Sequence, residues 1–205
     1  MSRHRRGKKG KKSRKTQYDE SKILQKLQTR DIVFLAIVSA ICLVTCAVMP
    51  IVASLQTVIF GIAQVVTSFQ ISLFFSVGLM RVRKSGALLI MAVLMGLIQL
   101  MMAPPMFFSN IVVGVIVEAL VLLIFRGFKS DKAVFFAAFV FNPFSIPFSV
   151  IYNYLFGRAA MVAVLTRVPW ITVVMIVIIL FLSWAGAYLG IKISRELKKS
   201  GVMRG

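Results

Sequence analysis

The stretch IVFLAIVSAICLVTCAVM, residues 32–49, is a run of 18 residues without a charged side chain. A transmembrane helix needs about 20 mostly apolar residues. Since 59% of the 205 residues are hydrophobic and only 15% are charged, the sequence predicts an all-α integral membrane protein, a bundle of six transmembrane helices. Pro104 and Pro105 are expected to break the chain between the third and fourth runs, because proline has no backbone donor. The five further apolar runs lie at about 57–80, 86–103, 110–125, 133–155 and 169–191.

Lysine and arginine predict the orientation of the bundle, because loops rich in these residues stay in the cytoplasm. With the N-terminus inside, only Arg158 and Arg167 of the 25 basic residues fall outside. We therefore expect both termini to be cytoplasmic. The expected domains are a basic tail (residues 1–30), a six-helix transmembrane domain (31–195) and a C-terminal cytoplasmic tail (196–205).

The N-terminal tail contains SRHRRGKKGKKSRK, residues 2–15, in which nine residues are basic. Such a block repels itself, which predicts disorder. We expect the tail to contact anionic lipid at the inner membrane surface. Nonspecific nucleic-acid binding is the less favoured alternative, because no aromatic residues are interleaved with the basic ones. Residues 21–31, SKILQKLQTRD, could form a short amphipathic helix on that surface.

Residues that carry enzyme chemistry are scarce in this chain. His4 is the only histidine and lies in the basic tail. Cys42 and Cys46 lie four residues apart on the first helix, a spacing unsuited to a disulfide, and we interpret both as small buried apolar residues. Since the sequence shows no acid pair, nucleophile elbow or phosphate-binding loop, we expect a protein that is not an enzyme and that uses no metal or cofactor.

Glu118 is the one acidic residue inside a predicted span. A charge there costs about 2.5 to 3.5 kcal/mol even on lenient insertion scales, so the side chain must face protein or water. Asn110 and Gly114 precede it at intervals of four, which puts all three residues on one helix face. Two interpretations of Glu118 stay open: a contact to a substrate or ion, and a hydrogen-bonded tie between helices.

The fifth run carries a second polar face, and two prolines interrupt it. Pro143 and Pro147 each remove a backbone donor and leave carbonyl groups to be satisfied in another way. A kink beside a ligand cavity explains the prolines together with the polar face, and transporters often break helices at binding sites. A kink that serves packing alone is the alternative. The polar residues of this face are Asn142, Ser145, Ser149 and Tyr152, with Asn153 beside them.

The last run begins with Trp170 and contains a pair of glycines near its inner end. We interpret Trp170 as an anchor at the membrane surface, with stacking on a ligand as the alternative. Gly186 and Gly190 form a GxxxG pattern, which lets a second helix approach closely.

Four stretches of the sequence together suggest a family. In their order and spacing, the chain resembles the substrate-binding membrane subunits (S components) of energy-coupling factor (ECF) transporters, and in particular the Trep_Strep or MptS-like family, over residues 30–202. The stretches are RVRKSGALLIMAVLMGL at 81–97, VVGVIVEALVLLIFRGFKSDKAVFFAAFVF at 112–141, IPFSV at 146–150, and VPWITVVMIVIILFLSWAGAYLGIKISRELKKSGV at 168–202.

The resemblance implies import across the bacterial cell membrane by a subunit without catalytic activity. In such proteins an AxxxA motif of the first helix docks onto the T component, and Ala36 and Ala40 occupy that motif here. Two ABC ATPases would hydrolyse ATP while this chain captures a small, vitamin-like nutrient outside. The resemblance implies no particular ligand, and the long basic tail departs from the short N-terminus usual in the family. The implied substrate contacts are Gln56, Asn110, Glu118, Asn142, Ser149, Tyr152, Asn153 and Trp170.

Two other classes of protein fit the same sequence. A structural or assembly protein could use the small-residue helix faces to hold a different membrane complex. A stand-alone secondary transporter would need a site for a coupling ion, and one carboxylate without an internal repeat makes that function less favoured.

Overall fold

The computed structural model describes residues 27–46, 61–100, 104–155, 157, 163 and 169–200. Residues 1–26 of the basic tail, Gln56, Arg158 and Arg167 lie outside the described residues. The described part is all-helical, as predicted. Its six helices are α1 (Thr29–Thr45), α2 (Ile62–Arg81), α3 (Ala87–Leu100), α4 (Pro104–Phe125), α5 (Asp131–Leu155) and α6 (Pro169–Lys199).

Three of these helices are long and apolar enough to cross a membrane. They are the Phe107–Phe125 part of α4, all of α5 and all of α6. The apolar part of α3, Ala87–Leu97, is shorter. These lengths and compositions agree with an integral membrane protein.

Two helix boundaries differ most from the predicted ones. Pro104 and Pro105 form the first turn of α4, six residues before the predicted start of the fourth run at 110. Proline is tolerated there because the first N–H groups of a helix have no acceptor within the helix. At the other boundary, α6 continues past the predicted end of its apolar run at 191 and ends at Lys199.

The helices surround one apolar core. The most extensive helix pairs are α2 with α6 and α3 with α4, while α5 packs against α2, α4 and α6, and α1 packs against α2 and α3. The core side chains come from all six helices. Among the largest are Leu35, Phe75, Leu79, Met91, Val117 and Phe141.

Glycine brings α2 and α6 into backbone contact. A methyl group on Gly186 would collide with the carbonyl oxygen of Phe69, and one on Gly190 would lie 2.6 Å from the carbonyl oxygen of Leu73. The close approach predicted from the GxxxG pattern is therefore present, and α2 is the partner. The facing side of α2 carries a serine at every fourth position, a pattern that the sequence analysis missed: Ser68, Ser72 and Ser76, all fully buried.

Charged residues gather at one end of the helices, called the basic end below, where α2 and α4 finish and α3 and α5 begin. Asp131 accepts hydrogen bonds from Arg83 at 2.5 Å and from Arg195 at 2.7 Å. Asp31 pairs with Lys84 at 2.7 Å. These contacts join the loop that follows α2 to α1 and α5, and they join α5 to α6. The opposite end, where α2, α4 and α6 begin, is called the far end.

Candidate functional site

Glu118 lies in α4 with its carboxylate against the beginning of α3. One carboxylate oxygen accepts a hydrogen bond from the backbone N–H of Gly86, and the other accepts one from Leu89 at 2.9 Å. The side chain is 7% exposed. The first N–H groups of a helix lack partners and carry partial positive charge. Glu118 therefore caps α3 from a neighbouring helix.

Asn110 belongs to the same helix face but lies near the far end. Its amide nitrogen donates a hydrogen bond to the side-chain oxygen of Gln99 in α3. Between Asn110 and Glu118, Gly114 faces α3 so closely that an added methyl group would lie 2.8 Å from Cβ of Ala92. The face predicted from the spacing of four is thus the surface that packs against α3.

Asn110 and Glu118 are not brought together. Eight residues of helix separate them, which is about 12 Å along the axis. Val113 and Val117, which lie between them, are completely buried, so packed core fills α4 at that level. The geometry favours the tie between helices for Glu118, whereas Asn110 pairs with Gln99 near the far end.

Of the polar residues predicted on one face of α5, Asn142 contacts the far end of α2, while Ser145 and Asn153 bond within α5. Asn142 is 3% exposed and donates a hydrogen bond to the backbone oxygen of Gln64 at 3.1 Å. Ser145 donates to the backbone oxygen of Asn142 at 2.6 Å. Asn153 donates to the backbone oxygen of Ser149 at 2.7 Å.

Packing along α5 changes at the first proline. Every buried residue of this helix lies between Ala133 and Asn142. From Pro143 onward the side chains are half-buried or exposed, including Ser149, Tyr152 and Asn153. The second half of α5 therefore presents polar groups that are accessible rather than packed away.

The sequence analysis missed the side chain of Gln70 and the polar contact of Cys46. Gln70 of α2 donates a hydrogen bond from its amide nitrogen to the backbone oxygen of Thr45 at 3.2 Å, and its oxygen accepts one from the thiol of Cys46 at 3.1 Å. Cys42 is fully buried, as predicted. Cys46, by contrast, is half-buried with a polar partner. An amide side chain inside an apolar run, as at Gln64 and Gln70, was the available signal.

Trp170 and the alanine pair lie on exposed surfaces. Trp170 is 67% exposed in the first turn of α6, where an anchor at the membrane surface would lie. Ala40 is exposed and Ala36 half-buried on α1. Leu35 and Cys42 point from the opposite side of α1 into the core.

The loop between α2 and α3, residues 82–86, holds the basic end together. Besides its pair with Asp131, Arg83 donates a hydrogen bond to the backbone oxygen of Lys129 at 2.9 Å.

Asp31 precedes the first apolar run. Burial raises the pKa of its carboxyl group, but hydrogen bonds from Lys84 and from the backbone of Gln28, with the charge of Lys84, bring that pKa below its ordinary value.

The two ends of the described helices therefore differ in chemistry. Carboxylates at the basic end accept hydrogen bonds from arginine, lysine and backbone N–H groups. The described polar groups of the far end are amides, hydroxyls and one thiol. Such groups can hydrogen-bond a small polar molecule. Among the described residues, no three His, Cys, Asp or Glu side chains are placed to hold a metal ion, and the expectation about cofactors stays a prediction.

Comparison with known proteins agrees with an integral membrane protein. The model of a family described as "Hypothetical bacterial integral membrane protein (Trep_Strep)" matches residues 29–199, which extend from the start of α1 to the end of α6. Searches among curated proteins and among solved structures gave no match.

Proposed function

Since the chain belongs to the Trep_Strep family of bacterial integral membrane proteins, we propose that it is the S component of an ECF-type ABC importer. In this proposal all six helices cross the plasma membrane, and the basic end faces the cytoplasm with both termini. The chain is not an enzyme. It captures a small, vitamin-like nutrient at the far end and delivers it with a T component and two ABC ATPases.

The observation that carries this proposal is the surface of α1 that points away from the other helices. Ala40 is exposed, and the larger apolar residues around it, Val33, Ile37 and Val44, are exposed as well. The packing of the described helices therefore does not require a small residue at position 40. Small residues at an exposed helix face permit close approach by a second membrane helix, which is what docking onto a T component requires.

The proposed substrate site is the polar region of the far end. Amides and hydroxyls of α4 and α5 provide directional hydrogen bonds, and Trp170 lies at the expected outer entrance. In this proposal Glu118 does not contact the ligand. It fixes α3 to α4 and so holds the helices that carry the site. The proposed contacts are Gln56, Asn110, Asn142, Ser149, Tyr152, Asn153 and Trp170.

Copurification of the tagged chain from native membranes tests the proposal. Wild type is expected to bring a T component and two ATPases, identified by mass spectrometry. Ala40→Trp, alone or with Ala36→Trp, should lower their recovery about tenfold, because overpacking an interface costs about 1–3 kcal/mol and about 1.4 kcal/mol is a factor of ten in affinity.

A matched control introduces tryptophan at another exposed position of α1. Ile41 is 48% exposed and points about 100° around the helix axis from Ala40, so Ile41→Trp should leave recovery close to wild type. Recovery unaffected by Ala40→Trp would refute docking through this face. Wild type that brings neither ATPases nor a T component would contradict the transporter function and favour a structural or assembly protein.

A further inference from the structure

The connection from α4 to α5, residues 126–132 and called the basic turn below, presents three cations to its surroundings. Arg126, Lys129 and Lys132 are exposed. Phe128 lies between them and is 1% exposed, so its ring anchors the turn in the core. This anchor holds the neighbouring cationic side chains at the surface.

The one acidic residue of the basic turn does not neutralise these cations. Asp131 directs its two carboxylate oxygens to Arg83 and Arg195, at 2.5 Å and 2.7 Å. Two guanidinium groups thus already balance the single carboxylate. The surface formed by Arg126, Lys129 and Lys132 keeps its positive charge.

The backbone at Arg126, directly after the end of α4, is in the left-handed conformation that often ends a helix. Arg126 has φ of 55° and is the non-glycine residue with positive φ in the described part of the chain. This left-handed conformation disfavours residues with a Cβ atom, and departures of this kind gather at functional positions. Glycine would be the relaxed choice at this position, yet the chain places arginine here and glycine at 127.

Exposed apolar side chains lie directly beside the basic turn. Leu123 and Ile124, in the last turn of α4, are 78% and 57% exposed. In a membrane protein such a surface faces lipid. Apolar groups followed along the helix axis by cations match the order of acyl chain and phosphate in a phospholipid, and basic surfaces next to membrane helices attract anionic headgroups.

We propose that the basic turn binds the headgroup of an anionic phospholipid. The phosphate contacts Arg126, Lys129 and Lys132, and an acyl chain lies along Leu123 and Ile124. This site belongs to the folded domain and is separate from the N-terminal tail. It does not depend on the transport function proposed above.

Native mass spectrometry of the full-length chain tests this site. The purified protein is mixed with equal amounts of phosphatidylglycerol and phosphatidylcholine in mild detergent, and retained lipid is counted per chain. The variant Arg126→Gly/Lys129→Gln/Lys132→Gln should retain phosphatidylglycerol roughly fivefold less than wild type, because each basic residue near the surface adds to the attraction.

A charge-matched control removes three exposed cations elsewhere at the same end. Arg30→Gln/Lys198→Gln/Lys199→Gln should retain phosphatidylglycerol as wild type does. Equal loss in both variants would overturn the site in favour of net charge alone, and undiminished retention in the first variant would overturn it outright. Displacement of the lipid by excess inorganic phosphate would show an anion site that reads free phosphate, which also overturns the proposal.

The single variant Arg126→Gly guards against loss of folding. Glycine suits the left-handed backbone at this position, so the variant should unfold at or above the wild-type temperature. It should nevertheless retain less phosphatidylglycerol. Retention equal to wild type in this folded variant would contradict the role of Arg126.

Discussion

At the scale of single residues, Glu118 shows how a carboxylate inside a helical bundle can be satisfied without a basic side chain. Its oxygens accept hydrogen bonds from the backbone N–H groups of Gly86 and Leu89. Those groups belong to the first turn of α3, where the peptide dipoles favour negative charge. The carboxylate thereby joins α4 to α3, and removing it would leave buried donors without partners.

Substitution of Glu118 tests this role. Glu118→Ala should destabilise the protein by about 1–3 kcal/mol for each buried N–H group left without an acceptor, seen as a lower unfolding temperature in detergent. Hydrogen exchange should rise at residues 86–90 and stay unchanged at 186–194. Glu118→Gln keeps one acceptor oxygen and should have a smaller effect.

A second glutamate provides the control for these variants. Glu196 pairs with Lys199 on an exposed part of α6, and such pairs contribute little, so Glu196→Gln should unfold like wild type. If Glu118→Ala were as stable as wild type, the capping role would be wrong. Loss of ligand binding in a Glu118→Gln variant with unchanged stability and exchange would instead assign Glu118 to the substrate.

Sequence spacing could predict the helix face of Glu118 but not its partner. Asn110, Gly114 and Glu118 share a face because they recur every four residues. The groups that Glu118 contacts lie 29 and 32 residues away in the chain and are backbone N–H groups, which every residue except proline carries. No residue type marks such a partner, so both interpretations of Glu118 stayed open until the helices were placed.

At the scale of helices, the pair α2 and α6 depends on glycine more than on large apolar side chains. The backbone of α2 at Phe69 and Leu73 lies against the Cα atoms of Gly186 and Gly190. Atoms of the main chain cannot move aside as a side chain can. This contact therefore fixes the spacing of the two helices.

Glycine-to-alanine variants of α6 should reveal this contact. In an open helix the change stabilises by about 1 kcal/mol. At Gly190 it should instead destabilise by about 1–3 kcal/mol through overpacking, measured as a lower midpoint of thermal unfolding, with a similar result at Gly186. The control is Gly78→Ala in α2, whose new methyl group meets only flexible side-chain ends, chiefly that of Met91; its effect should be smaller. Stabilisation by Gly190→Ala would contradict the close contact.

The sequence predicted the helices well and their neighbours poorly. Apolar runs locate helices because a membrane-spanning helix needs about 20 apolar residues. The prediction failed mainly at helix ends, as at Pro104, where capping rather than hydropathy decides. The GxxxG pattern predicted a close approach by α6. The pattern could not identify α2 as the partner. Serine is a common residue, so the spacing of Ser68, Ser72 and Ser76 does not by itself mark a helix contact.

At the scale of the whole molecule, the two ends of the bundle differ in charge and in packing. Ion pairs and the Glu118 cap bind the helices to one another at the basic end. At the far end the described polar groups are neutral, and α5 loses its buried residues beyond Asn142. Regions with few buried contacts open most readily, so in the proposed function the far end admits the ligand while the basic end stays closed.

This division holds functional meaning only if the far end faces outward, which chemical labelling of cysteine variants can test. Gly157 follows α5 at the far end and Lys129 lies at the basic end, and both are exposed. A maleimide that cannot cross membranes should label Gly157→Cys in intact cells, whereas Lys129→Cys should react only after the cells are opened. Wild type corrects for the native thiols, of which Cys42 is buried and Cys46 half-buried. The expected result follows from the rule that basic loops stay in the cytoplasm. Labelling of Lys129→Cys in intact cells would show the opposite topology, with the far end inside the cell, where it could not capture a nutrient from outside.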